Sequence, residues 1–170
     1  GGSNRIPQKN VLDFFGKPIF LYTYEAAIQS ELFEDVVIST DSQEIIKMCD
    51  RRGIDIPFRR PDNLSTDHAS LNEVCLHALE EMGKRGGIYE NFCLLWATSP
   101  MRDSEDIRFA YNLLLENEET EAAIGVTDCY QYYPAHIVDE NGYIKQLVSF
   151  DDIEAINTTV RAQDLAKTFV

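Results

Sequence analysis

"DVVISTDSQEIIKMCDRRG", residues 35–53, reads as one complete strand-to-helix unit. Val36, Val37 and Ile38 form a short β-branched run of the kind that fills a strand buried on both faces. The helix then opens on a capping residue, carries Ile45, Met48 and Cys49 as an apolar stripe, and stops at Gly53. The same alternation runs outward from this unit. Upstream, "GKPIFLYTYEAAIQS" (16–30) places Pro18 in a first helical turn, with Leu21, Tyr24 and Ile28 on one face. Downstream come an extended "IDIPF" (54–58), a helix over 67–83, a buried strand "FCLLWA" (92–97), a well-capped helix over 103–117, and a third strand "AAIGVT" (122–127). Strand and helix take turns through residue 127, which predicts an α/β protein with a mostly parallel sheet and helices on its faces.

After residue 127 the pattern changes. "HIVDENGYIKQLV" (136–148) carries Asn141-Gly142 between two β-prone runs, the signature of a hairpin. "TTVRAQDLAKTFV" (158–170) closes the chain as a short helix.

Bulk properties narrow the function. The 170 residues suffice for one domain with a real core. No run approaches a membrane span and no basic-then-apolar leader opens the chain, so a cytoplasmic location is the expectation. A net charge of −14 argues against nucleic acid as partner, since it offers no footprint for a polyanion. A small anionic ligand needs only a local cationic cluster. Residues 1–12 carry Arg5 and Lys9 with no acid, and residues 51–60 carry Arg51, Arg52, Arg59 and Arg60 against Asp55. The acid collects elsewhere, as in "ENEETE" (116–121), read as a solvated helix end. Cys49, Cys75, Cys93 and Cys129 form no C-x-x-C pair and read as reduced core thiols. His68, His77 and His136 show no metal-ligand spacing.

"GGSNRIPQKN" (1–10) admits two readings by itself, an artificial linker or a phosphate-wrapping loop. Glycines let backbone N–H groups approach phosphate oxygens, and Lys9 is a compact charge for the β- and γ-phosphates. The stretch is neither G-x-x-x-x-G-K-[ST] nor G-x-G-x-x-G, which excludes a P-loop NTPase.

The loop does not stand alone. GGSxxIPxKN, GKP at a helix start, "ISTD" (38–41), "FRRPDNLSTDHAS" (58–70) and "ATSPMRDSEDI" (97–107) follow one another in an order that resembles the acylneuraminate cytidylyltransferase family, the CMP-sialic acid synthetases and their relatives. The resemblance covers essentially the whole chain. It implies a Rossmann-like three-layer α/β nucleotidyltransferase whose opening glycines belong to the protein and follow a first strand absent from this chain. The implied organisation is a nucleotide-binding core over 1–127, a protruding β-hairpin dimerisation arm over 128–160 and a return to the core over 161–170.

The implied reaction is attack by the anomeric hydroxyl of a nine-carbon acidic sugar on the α-phosphorus of CTP, releasing pyrophosphate with Mg²⁺ assistance. Carried onto matching positions, Lys9 and Arg5 neutralise the triphosphate, and Gly1, Gly2, Ser3, Asn10, Arg60, Ala69 and Ser70 bind the nucleotide. Trp96, His136 and Arg161 fall where the family holds the sugar. The family's metal-binding aspartates lie in a later segment that this chain does not contain. A homodimer follows from the arm, with N-acetylneuraminic, pseudaminic or legionaminic acid as acceptor.

The departures are specific. Asn4 and Arg5 replace the Lys-Gly of the family's GGSKG, which moves the cation by one residue. Trp96-Ala97 replaces Gln-Pro before Thr-Ser-Pro and looks more like the branch that activates the more hydrophobic pseudaminic acid. Leu71 stands where a hydroxyl follows Ala-Ser. These departures motivate a rival reading, a homologue that binds CTP or a CMP-sugar without turnover; a related nucleotidyltransferase with another sugar or base is a third. Plainer roles stand beside the sharp ones: Trp96 packing a core, Asp41 or Asp67 capping a helix, Arg59 as a solvated charge, Asp151-Asp152 as a solvated loop.

Overall fold

The computed structural model describes residues 6, 8–66, 69–117, 119–126, 136–138 and 144–146. The chain divides into two compact units, 1–123 and 124–170.

The first unit opens with a 3₁₀ turn, Lys9–Val11, entered through Gln8 in the left-handed region at φ 53°. A tight hairpin follows: β1 (Asp13–Phe14) pairs antiparallel with β2 (Lys17–Pro18) across Phe15-Gly16. Both turn residues have positive φ, +50° and +93°, as a two-residue hairpin turn requires. Gly16 takes that conformation freely, whereas Phe15 holds it at a steric cost. The hairpin delays the first helix: α1 spans Ile19–Ser30, and Pro18, expected inside its first turn, is its N-cap.

The remaining helices lie near where the periodicity puts them. α2 is Gln43–Asp50, capped by Ser42, whose side chain accepts from the Ile45 N–H. α3 is Leu71–Gly83, and Ser70 with Glu73 forms a capping box at its start. That assigns to Ser70 the capping place that Asp67 could have filled. α4 is Ser104–Leu115, with Asp103 and Asp106 in the same reciprocal arrangement. It ends at Leu115, ahead of the acidic run, because acids at a helix C-terminus oppose the helix dipole.

Two apolar clusters hold the unit together. Phe20, Leu21, Ile45 and Cys49 are buried where α1 meets α2, with Ile38, Ile54, Ile56 and Ala97 packed against them. Ala26, Ala27 and Ile107 join α1 to α4, with Phe33, Val36 and Leu95 alongside. The two alanines permit close helix approach, and Arg108 of α4 secures it by donating to the Ser30 and Gln29 carbonyls at 3.1 and 2.5 Å. α1 has no basic residue in its own last turn, so Arg108 supplies the cation its C-terminus favours.

The expected parallel sheet is the principal difference. Segments 35–40, 92–96 and 121–126 carry no ladder hydrogen bonds among the described residues. Residues 92 and 94 and most of 121–126 are exposed rather than buried. β-branched runs report a local preference for extended backbone, whereas a ladder also needs a neighbour at about 4.8 Å. Cys49 is fully buried, Cys75 is half-buried, and Cys93 is exposed, which corrects its reading as a core thiol; these three are free, and Cys129 lies outside the described residues. No helix among the described residues is long and apolar enough to cross a membrane.

In the second unit, β3 (His136–Val138) pairs antiparallel with β4 (Ile144–Gln146), His136 opposite Gln146 and Val138 opposite Ile144. This is the hairpin that the β-prone runs predict; Asn141-Gly142 and the closing helix over 158–170 lie outside the described residues.

Candidate functional site

The end of segment 35–40 is where the first unit opens. Thr40 is buried, and its hydroxyl accepts from the Ser42 N–H at 3.1 Å, which turns the chain into α2. The Thr40 carbonyl accepts from the Arg60 N–H at 2.9 Å, so residues 54–60 return alongside the segment. Arg60 then donates its Nη2 to the Ser39 carbonyl at 3.0 Å. Its Nε is buried, as is the Ser39 hydroxyl, and neither has a hydrogen-bond partner among the described residues. Two unsatisfied buried polar atoms on neighbouring side chains are costly unless something fills them.

Both belong to residues that line a cavity of about 330 Å³. Asn10, Asp41, Arg60, Ala69 and Trp96 also line it, with Leu64, Leu71 and Val74 as apolar wall. Its place, beyond the carboxyl end of an extended segment and beside a loop leading into a helix, is where open α/β proteins hold ligands. The volume sits at the lower end of the roughly 300–1,000 Å³ usual for ligand cavities. An apolar wall with a few convergent polar groups suits a flat heterocycle or a deoxygenated sugar, held by hydrogen bonds at its edge.

Residues far apart in sequence meet here. Asn10, Arg60, Ala69 and Trp96, all singled out above, share the cavity. Lys9 is half-buried in the same 3₁₀ turn as Asn10 and is not among the lining residues. Ser70 is exposed between Ala69 and Leu71, and its oxygen accepts from the Glu73 N–H at 3.1 Å. His136 lies in β3, in the second unit. Gly1, Gly2, Ser3, Arg5 and Arg161 lie outside the described residues.

The arginine-rich stretch 51–60 does not act as one cluster. Arg51 is the C-cap of α2 and Arg52 donates to the Met48 carbonyl at 3.0 Å, so both serve the helix end. Arg59 is exposed and faces Asp62 at 3.7 Å. Arg60 alone of the four lines the cavity, and among the described residues Asp41 is the single carboxylate there. Among the described residues no group of three or more His, Cys, Asp or Glu is placed to hold a metal. These residues by themselves therefore do not make a Mg²⁺ site.

Sequence reading passed over Ser39, Thr40, Leu64 and Thr66 as site residues. The available signal was positional: residues at the carboxyl end of a β-branched run, followed by a helix start.

Helices and extended segments around a ligand-sized cavity at a segment's carboxyl end give the frame of an α/β protein. Comparison with known proteins places it further. A family model described as cytidylyltransferase matches residues 1–168. The pseudaminic acid cytidylyltransferase of Campylobacter jejuni serotype O:2 is 36% identical over 169 residues, 99% of this chain and 70% of that protein. The N-acylneuraminate cytidylyltransferase of Escherichia coli O18:K1:H7 is 40% identical over 126 residues, covering 74% of this chain and 29% of that protein. The CMP-N,N'-diacetyllegionaminic acid synthase of Legionella pneumophila is 34% identical over 112 residues, 66% of this chain and 48% of that protein. The chain belongs to the cytidylyltransferase family, and is thereby a nucleotidyltransferase.

Proposed function

We propose that this protein transfers CMP from CTP to a nonulosonic acid, with pseudaminic acid as the acceptor. The observation that carries the reading is the cavity that joins Asn10, Arg60, Ala69 and Trp96, residues drawn from three separate stretches of the chain. The choice of acceptor rests on the apolar wall and on similarity: two Campylobacter pseudaminic acid cytidylyltransferases, 36% and 34% identical, each match 99% of this chain. Leu64, Leu71, Val74 and Trp96 suit a sugar that has lost hydroxyls.

In the proposed reaction the anomeric hydroxyl of the sugar attacks the α-phosphorus of CTP. A bond forms between that oxygen and phosphorus as the hydroxyl gives up its proton to solvent, the bond from phosphorus to the α–β bridging oxygen breaks, and pyrophosphate leaves. The protein's part is orientation and charge neutralisation. Arg60 reads the base from the cavity wall, with Asn10, Ala69 and Ser70 around the nucleoside. Lys9 and Arg5, with Gly1, Gly2 and Ser3, take the triphosphate. Trp96 lies against the sugar, and His136 and Arg161 take its carboxylate. Mg²⁺ would offset phosphate charge, held chiefly by groups beyond those described. A mostly parallel Rossmann-like sheet over 1–127, a homodimer formed through the arm at 128–160, and a cytoplasmic location complete the proposal.

The test is pyrophosphate release from CTP and Mg²⁺ with pseudaminic, legionaminic and N-acetylneuraminic acids in parallel. Release with pseudaminic acid well above the other two is the expected result. Binding of CTP without release in any of the three overturns catalysis and favours the binding-only homologue.

A further inference from the structure

The Trp96 carbonyl accepts three hydrogen bonds, one from its own turn and two from side chains. Ser99 N–H reaches it at 3.3 Å. Thr23 Oγ1, from α1, donates at 3.0 Å. Arg102 Nη2, from the loop before α4, donates at 3.1 Å. Arg102 Nη2 also lies 3.3 Å from Thr23 Oγ1, which closes a triangle of hydroxyl, guanidinium and carbonyl. Thr23 is 7% exposed, so its hydroxyl is a buried polar group placed in a helix for a partner rather than for solubility. Burial draws the Arg102 pKa down from its ordinary value, with Cys93 and Asp106 offsetting this in part.

We propose that Arg102 is a positioning residue for the reaction, fixing the Trp96 peptide together with Thr23 so that the indole keeps one orientation against the acceptor. The proposal rests on the cytidylyltransferase reading for what Trp96 touches, and on geometry alone for how Trp96 is held. Arg102 itself lines a different, smaller cavity on the α1 side, with Lys17, Tyr22 and Asp103, and is absent from the wall of the larger one. It therefore acts through Trp96 rather than on substrate. A backbone carbonyl gripped from two other elements cannot rotate without breaking the charge-assisted bond from Arg102 and the hydroxyl bond from Thr23, which fixes the direction in which the Trp96 Cα–Cβ bond leaves the chain.

Trp96 is the only tryptophan in the chain, so its fluorescence reports on one indole. The experiment measures indole anisotropy and acrylamide quenching of the ligand-free protein, then KM for each substrate, in Arg102→Met, Arg102→Lys and Thr23→Val. Arg102→Met is expected to lower anisotropy, raise quenching and increase the acceptor KM about tenfold, as small misplacements do. The CTP KM should stay within about twofold, because uniform binding of the nucleotide is untouched. Arg102→Lys should restore part of both signals. Thr23→Val keeps the guanidinium and should give a smaller change of the same sign, which preserves the test if Arg102→Met does not fold. Wild-type anisotropy and quenching in the folded variants overturn the proposal. So does an equal rise of both KM values alongside a lowered unfolding midpoint, the mark of general loosening. If the wild type turns over no substrate, the proposed function fails while the fluorescence measurements still decide whether Arg102 holds Trp96.

Discussion

Two loops of the first unit are built to one plan and used differently. Each follows an extended segment, each leads into a helix opened by a capping box, and each carries an arginine that donates Nη2 to a carbonyl at the end of an extended segment, the neighbouring segment 35–40 for Arg60 and its own segment 92–96 for Arg102. Arg60 reaches the Ser39 carbonyl at 3.0 Å, and Arg102 reaches the Trp96 carbonyl at 3.1 Å. In both, Nε is buried with no hydrogen-bond partner among the described residues. The difference lies in the span between arginine and cap. Arg102 immediately precedes its cap, Asp103, whereas residues 61–69 separate Arg60 from Ser70. That longer connection has room to wall a cavity, and Leu64, Ser65, Thr66 and Ala69 do so. A short loop makes a clamp, and a long one makes a binding wall.

The comparison breaks most readily at Arg60. Arg60→Met is expected to lower kcat/KM for CTP on the order of 100-fold, since it removes a charged donor from a buried site. Steady-state kinetics with varied CTP would check this; an effect on the acceptor KM alone would show that both loops are clamps. Next in size, Cys49→Ser places a hydroxyl in the fully buried core between α1 and α2. It should cost about 1–3 kcal/mol in urea unfolding, with substrate KM values unchanged.

Asp103→Ala and Ser70→Ala sharpen the contrast between the loops. Each removes a capping side chain and should cost about 1 kcal/mol in chemical denaturation. Asp103→Ala adjoins the clamp and should also raise the acceptor KM. Ser70→Ala, beside the cavity-lining Ala69, should raise the CTP KM and leave the acceptor KM unchanged. The smallest effect belongs to Arg59→Gln, beside Arg60 but exposed and 3.7 Å from Asp62. Neither unfolding nor kinetics should change measurably, because exposed pairs contribute little.

Local pattern made the helices legible. The Asp103-x-x-Asp106 spacing satisfies orphan N–H groups within one turn, so nothing distant is needed to place the start of α4; Ser70-x-x-Glu73 does the same for α3, which the reading from Asp67 starts four residues early. The β1–β2 hairpin was not legible, because its turn carries Phe15 where periodicity offers no signal and a small residue is usual. Segments 92–96 and 121–126 show the converse case, with strand-like composition and no ladder among the described residues. Their apolar content marks extended backbone, but ladders depend on neighbours that no local window contains.

The site divides in the same way. Ordered motifs in the sequence were sufficient to determine the family, and with it Asn10, Arg60, Ala69 and Trp96 as candidates, because each motif is a short run of residue types with its own chemistry. That those four share one cavity, that Arg60 alone among its neighbours lines it, and that Arg51 and Arg52 instead serve the end of α2 were decided by tertiary structure. So was the Arg102–Trp96–Thr23 triangle, whose side-chain contact joins residues 79 positions apart. Composition and spacing specify what a residue is able to bond; only the folded chain brings a hydroxyl, a guanidinium and a carbonyl within hydrogen-bonding distance.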